Sequence, residues 1–187
     1  MFRIAEEAQA FAQFQEYLVL GCVDLLLHYG MSVEHTLGAA AADVRGPAVM
    51  AVIGYAAPTV RGALLLLTSR ELVAELEPRE IRTAAPSDVF LRDVLGEFCN
   101  MTIGRVTRRL AGHAIAPLIS TPTTISGSDL YLPAPTSGMS AWHRFASAKG
   151  DLFARLDAAF EPSFYLAPAD ESAYAPMLEG GMVIFAE

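Results

Sequence analysis

The chain has 187 residues, 53% of them hydrophobic and 18% charged, which is enough apolar content for one sizeable core and too much for a disordered chain. A formal charge of -8 and a pI near 5.0 exclude an electrostatic nucleic-acid binder, which needs a concentrated basic surface. Arg105, Arg108 and Arg109 do cluster, but at the end of a helix, where cations complement the dipole.

The apolar run from Tyr17 to Leu27 is interrupted by Asp24 and is too short to span a bilayer. Met1 leads into Arg3, Glu6 and Glu7 without a basic n-region or a small-residue cleavage site. A cytoplasmic protein with no membrane insertion is expected. Cys22 and Cys99 lie in apolar helical contexts and read as buried thiols, not as a disulfide or metal ligands.

Ile4 to Tyr29 reads as a long helix, with Phe11, Phe14, Leu18, Cys22 and Leu25 at three- and four-residue intervals and Gly30 as its stop. Ser32 to Pro47 is a connection with room for a short strand. Val49 to Tyr55 and Val60 to Leu67 form a hairpin around Ala56-Ala57-Pro58-Thr59. The unbroken apolar stretch Ala63 to Leu67 marks a central strand covered on both faces. Thr68 and Glu71 match a capping box for a short helix that Pro78 ends. Pro86-Ser87-Asp88 opens a second long helix.

Beyond Gly112, Ile115 to Ser120 and Thr123 to Ser126 are extended, broken by Pro122 and stopped by Gly127. Asp129 to Gly138 is a loop. Ala141 to Ser147 and Leu152 to Phe160 flank the turn Ala148-Lys149-Gly150-Asp151. In the second of these strands Leu152, Ala154, Leu156, Ala158 and Phe160 share a core face, while Arg155 and Asp157 fall on a face open to solvent. Met182 to Phe185 is a strand candidate without a place. Helix followed by hairpin occurs twice, which hints at a duplicated unit. The class is α+β: a mixed, largely antiparallel sheet with two long helices packed on one face.

Within the second long helix, Asp93, Glu97, Asn100 and Gly104 fall within about 60° of one another at 100° per residue. Around that stripe nearly everything is apolar: Phe90, Val94, Phe98 and Met101 on one flank, Leu95, Cys99, Ile103, Val106 and Leu110 on the other. Such a stripe is most often a plain solvated face. Gly104 argues for more, since glycine costs about 1 kcal/mol relative to alanine in a helix interior and its missing side chain leaves room for a partner beside Asn100.

The helix motif Asp93-x-x-x-Glu97-x-x-Asn100, with Met101 and Gly104 following and Pro122 and Gly127 in the next strand, resembles the signature of the CheX, CheC and FliY chemotaxis phosphatases. The likeness extends faintly over Tyr17 to Phe160 through the order of elements. Asn100 and Pro122 are separated by 21 residues, one fewer than the family pattern, which places a small deletion near Gly112. A second ExxN is missing: Glu16 and Glu34 are followed by Val19 and Leu37 where asparagine would stand. The chain is therefore similar to the single-site CheX type, and the resemblance implies one CheX-like, CheC-like domain over 1–187, with 161–187 as a C-terminal extension.

The resemblance also implies a phosphatase acting on the aspartyl phosphate of a CheY-like response regulator. In it Glu97 and Asn100 are the catalytic pair, Asn100 orienting the attacking water and Glu97 pairing with the regulator's lysine. Asp93 and Gly104 serve partner docking. The chain needs no cofactor or metal of its own, Mg²⁺ being expected on the regulator. A homodimer formed through the sheets is expected by resemblance, with Ala141 to Phe160 as an apolar strand pair that favours it.

Two other readings share the same stripe: a receiver-binding module without catalysis, and a structural dimerising domain. Elsewhere the sequence offers little chemistry. His28, His35, His113 and His143 show no ligand spacing and lie in separate elements; Gly127-Ser128-Asp129 reads as a turn, and no phosphate-cradling loop occurs. Trp142 reads as core or dimer interface.

Overall fold

Phe14, Leu18, Cys22 and Leu25, all essentially inaccessible, form the inner stripe of α1 (Phe2–His28) in the computed structural model, which describes residues 2–38, 46–76, 86–130, 135 and 137–170. The helix stops at the predicted glycine. Gly30 takes a φ of 75°, its N–H donates to Leu27 O, and Met31 N–H donates to Leu26 O, both at 2.9 Å, the paired closure that a left-handed residue permits. As a whole helix, Glu6–His28 is long and apolar enough to cross a membrane, which the shorter Tyr17–Leu27 run did not reveal. In the fold 56% of that apolar window is buried inside the protein.

The strands are β1 (Glu34–Leu37), β2 (Pro47–Ala57), β3 (Val60–Ser69), β4 (Leu118–Ile119), β5 (Thr123–Ser128), β6 (Met139–Ser147) and β7 (Gly150–Phe160). They form one sheet in the order β1-β6-β7-β3-β2-β4, with β5 also on β2. Every pairing is antiparallel. Each hairpin, β2–β3 and β6–β7, is closed by two residues, Pro58-Thr59 and Ala148-Lys149. Gly127 does not stop its strand: it pairs with Ala48 inside β5.

The topology carries the suspected duplication. Exchanging α1, β1, β2 and β3 for α3 (Asp88–Ala111), β5, β6 and β7 leaves the order β1-β6-β7-β3-β2-β5 unchanged. The exchange also explains why β6 and β7 are not edges. β7 lies at the centre beside β3, and β1 covers β6. The apolar 141–160 segment expected to seek a second copy is therefore already paired on both sides, and the sheet edges are β1 and the β4–β5 strip.

Between β3 and α3 stands α2 (Arg70–Glu75), whose N-cap is Ser69 and not Thr68. Ser69 Oγ accepts from Leu72 N at 3.3 Å, while Thr68 is still in the strand, fully buried, its hydroxyl donating to Asp151 O at 2.7 Å. Pro78, Met182 to Phe185 and the rest of 171–187 lie outside the described residues. Ser87 caps α3 by accepting from Phe90 N at 3.2 Å, so Pro86 precedes the cap, and Arg70 pairs with Asp88 in the first turn.

Both long helices pack on one face of the sheet, over Val49, Ala51, Ile53, Leu64, Leu66, Leu152, Ala154 and Leu156. The opposite face is also covered at its centre. Met50, Leu67 and Phe153 cluster there under Leu130 and Trp142, and Arg155 and Asp157, expected to meet solvent, are only 5% and 9% exposed. Arg155 Nη2 donates to Asp157 Oδ2 at 3.0 Å, Ser140 Oγ donates to Asp157 Oδ1 at 2.7 Å, and the Trp142 ring lies 5.1 Å from the guanidinium. Alternation in a strand reports which residues share a face, whereas burial depends on what the neighbouring strands lay over that face.

Candidate functional site

The exposed stripe of α3 is as narrow as its spacing predicts. Asp93 and Glu97 are exposed, Asn100 and Gly104 half-buried, and Leu95, Phe98, Cys99 and Ile103 behind them are sealed in the core. Burial pushes the Cys99 thiol up to about 12, and burial together with Cys99 raises Cys22 further. Both cysteines are free, buried thiols, inert as nucleophiles at neutral pH.

Asn100 sits one turn after Glu97, and its Nδ2 donates to Glu97 Oε2 at 3.4 Å. On one side the stripe is walled by α1 and the turn that follows it: Tyr29 packs on Phe98 with ring centroids 6.0 Å apart, and a Cβ on Gly21 would touch Arg105 Cβ at 3.4 Å. Burial, reinforced by the Glu97 carboxylate, raises the Tyr29 phenol above its ordinary value, so the ring stays neutral beside the acid.

The other wall is the β4–β5 strip. A Cβ on Gly96 would meet Thr124 Cγ2 at 3.3 Å and Pro122 Cγ at 3.7 Å, so of the two glycines on α3 it is Gly96 that admits a close neighbour within the fold. Sequence reasoning missed it because Gly96 sits among the buried positions of the helix. Gly104 is different. A Cβ there would meet nothing within 4 Å, so the room beside Asn100 opens outward.

Of the four histidines, the structure joins two that the sequence keeps apart. His35 on β1 and His143 on β6 stack with centroids 5.1 Å apart. Gln15 Oε1, which can only accept, lies 2.7 Å from His143 Nε2, so that nitrogen carries the proton and Nδ1 accepts from His35 Nε2 at 2.8 Å. Antiparallel pairing of β1 with β6 sets Leu37 opposite His143, and no spacing rule in the sequence contains that register. His113 is a satisfied core histidine, accepting from Tyr17 Oη at 2.6 Å and donating from Nδ1 to Ala167 O at 2.6 Å. Among the described residues no group of three or more His, Cys, Asp or Glu side chains converges as a metal site.

The histidine pair makes stability depend on pH. Burial, and then the neighbouring His35, lower His143 to about 4, and burial lowers His35. Neutral imidazole is favoured in the fold, while the unfolded chain takes up its protons near the ordinary value of about 6.5. The stabilisation is thus full above about pH 6.5 and is lost as the pH falls towards about 4. Urea midpoints measured across this window should decline with acid, and His143→Gln, which keeps a polar group for Gln15, should flatten the decline. An unchanged slope in that variant would remove the histidine pair as its source.

The topology is that of the CheC-like class, an antiparallel sheet carrying two long helices on one face, here with Glu97 and Asn100 displayed from the second. Residues 49–145, just over half of the chain, match the family described as Chemotaxis phosphatase CheX, and the chain belongs to that family. Its fold is similar to the chemotaxis protein CheX from Vibrio vulnificus, with 21% identity, a TM-score of 0.68, and coverage of 78% of this chain and 96% of that one. A CheC-like superfamily protein from Shewanella sp. PV-4 is similar at 18% identity and TM-score 0.67, covering 78% and 97%. A chain of the CheX–CheY–BeF3–Mg²⁺ complex from Borrelia burgdorferi is similar at 13% identity and TM-score 0.63, covering 78% and 97%. At these identities the likeness is one of fold. No curated protein matches the sequence.

Proposed function

We propose that the protein hydrolyses the aspartyl phosphate of a CheY-like response-regulator receiver domain. The observation that carries this reading is the contact between Glu97 and Asn100, one turn apart on the exposed stripe of α3, in a chain of the CheX family. The Borrelia burgdorferi structure, in which CheX is in complex with CheY, BeF3 and Mg²⁺, supports the choice of partner.

An acyl phosphate already has a good leaving group, and Mg²⁺ on the regulator's own carboxylates offsets the charge of the phosphoryl oxygens. What a second protein adds is an ordered water in line with the bond to be broken. Asn100 accepts a hydrogen bond from that water through a group that does not titrate. Water oxygen bonds to phosphorus as the bond to the aspartyl oxygen breaks, leaving inorganic phosphate and the regulator's free carboxylate. Glu97 pairs with the regulator's lysine and sets the register of docking. Asp93 adds to docking at the rim, and the enzyme contributes no metal.

Gly104 gives the receiver room. Because nothing lies within 4 Å of a Cβ there, Gly104→Ala should stabilise the helix by up to about 1 kcal/mol. Gly104→Leu should fold as well, yet raise the KM for phosphorylated receiver. Thermal melts and turnover on the same samples read both effects; a Leu variant with an unchanged KM would take Gly104 out of the docking surface.

In the same reading the protein acts in the cytoplasm as a single CheX-like domain over 1–187, with 161–187 as its C-terminal extension, and pairs with a second copy through its sheet. The β4–β5 edge, where Leu118 is 82% exposed and Ile119 and Ile125 are also open, supports the pairing, which sedimentation would read as twice the chain mass. The function is tested by the decay of a phosphorylated receiver domain, with Mg²⁺, in the presence and absence of the protein. Faster decay is expected. Binding without acceleration would make it a receiver-binding module, and no binding across a broad panel of receivers would sink both readings.

A further inference from the structure

We infer that Glu97 is a positioning residue for Asn100 in addition to a docking anchor: its carboxylate holds the Nδ2 end of the carboxamide, so that Oδ1 is the end offered to water. The inference rests on the proposed phosphatase reading and deepens it. Asn100 Nδ2 lies 3.4 Å from Glu97 Oε2. An ionised carboxylate only accepts hydrogen bonds, so the amide end that faces it has to be the NH₂. The reverse orientation would set two acceptors against each other.

This matters because the terminal torsion of asparagine is broad and nearly two-fold, leaving an undirected carboxamide free to present either end. The two ends are not equivalent in the reaction. Only Oδ1 can accept from a water whose lone pair must be aimed at phosphorus, while an outward Nδ2 would draw on that same lone pair. Glu97 biases this choice in the free protein, before any receiver arrives.

One carboxylate can serve both roles. It has two oxygens and about four lone-pair directions, so Oε2 can keep the amide while Oε1 meets the regulator's lysine. Further along the stripe, Gly104 leaves open space for the receiver, so docking need not displace the pair. Docking and water orientation are therefore coupled through a single side chain.

Glu97→Gln is the test, because it keeps the length of the side chain and lies on an exposed position that the core does not need. Its amide can face Asn100 with either end, so the preference for one orientation is lost. In the free protein, the Asn100 side-chain NH₂ resonances should show one hydrogen-bonded proton whose shift moves towards that of a free amide in Glu97→Gln, where the two orientations average. With phosphorylated receiver at saturation, kcat should fall about twofold, the factor that a weak, exposed hydrogen bond carries. Loss of the lysine contact should appear separately, as weaker binding of a beryllofluoride-loaded receiver.

Unchanged Asn100 resonances, or a raised KM with kcat intact at saturation, would overturn the inference and leave Glu97 as an anchor alone. If the resonances shift as expected but the parent protein accelerates no receiver, the phosphatase reading has failed, and a role in positioning water fails with it.

Discussion

Asn100→Ala is expected to slow receiver dephosphorylation by this protein about 10²- to 10³-fold, the range seen when a single preorganised polar group is removed from a reaction centre. Binding should survive, since the proposed ion pair is made by Glu97 and the docking surface by the rest of the stripe. Stability should change by no more than about 0.5 kcal/mol, because Asn100 is half-buried and its contact is with an exposed side chain. Single-turnover decay of phosphorylated receiver at saturating enzyme isolates the chemical step from docking. A variant that binds normally and turns over at the parent rate would show that the water is ordered by some other group.

Gly62→Ala should cause a large loss of stability. Gly62 lies in β3 opposite Tyr55 on β2 and Ala158 on β7. A Cβ there would stand 1.8 Å from Asp157 O and 2.6 Å from Tyr55 Oη. The Tyr55 ring occupies the space, its hydroxyl donating to Asp157 O at 2.8 Å. Backbone in the middle of a seven-stranded sheet cannot retreat as a surface side chain can, so β3 and β7 would have to part locally.

A loss of at least about 3 kcal/mol is expected from overpacking of this kind, or roughly 6–12 °C in Tm for a chain of this size. Tyr55→Phe separates the steric from the polar contribution: it keeps the ring over the glycine and removes one hydrogen bond, which is worth about 1 kcal/mol. Thermal melts of the two variants should differ clearly. Equal losses would mean that the hydrogen bond, and not the missing Cβ, holds this part of the sheet.

Short-range chemistry explains what could be read along the chain. The three- and four-residue apolar spacing of α1, its glycine stop, the β2–β3 hairpin and the stripe of α3 are all consequences of backbone period and of residues near one another in sequence. The cap of α2 reads one position early because Thr68 and Ser69 are chemically similar, and it is the pairing of Thr68 with Val49 and Leu152 across the sheet that keeps it in the strand. Arg155 and Asp157 fall on the outward face of their own strand, and only their neighbours on β6, Trp142 and Ser140, make that face polar and buried.

The α+β class, the two helices, and the polar stripe of Asp93, Glu97, Asn100 and Gly104 with the family it signals are thus legible along the chain. Tertiary structure decided the rest. It put β6 and β7 inside the sheet, brought His35 to His143, assigned close packing to Gly96 and open space to Gly104, and laid the Asn100 carboxamide against Glu97. The physical reason is that helical period is a property of one segment, whereas strand order and register are chosen by the total burial of many segments at once, and a side chain's neighbours follow from that choice.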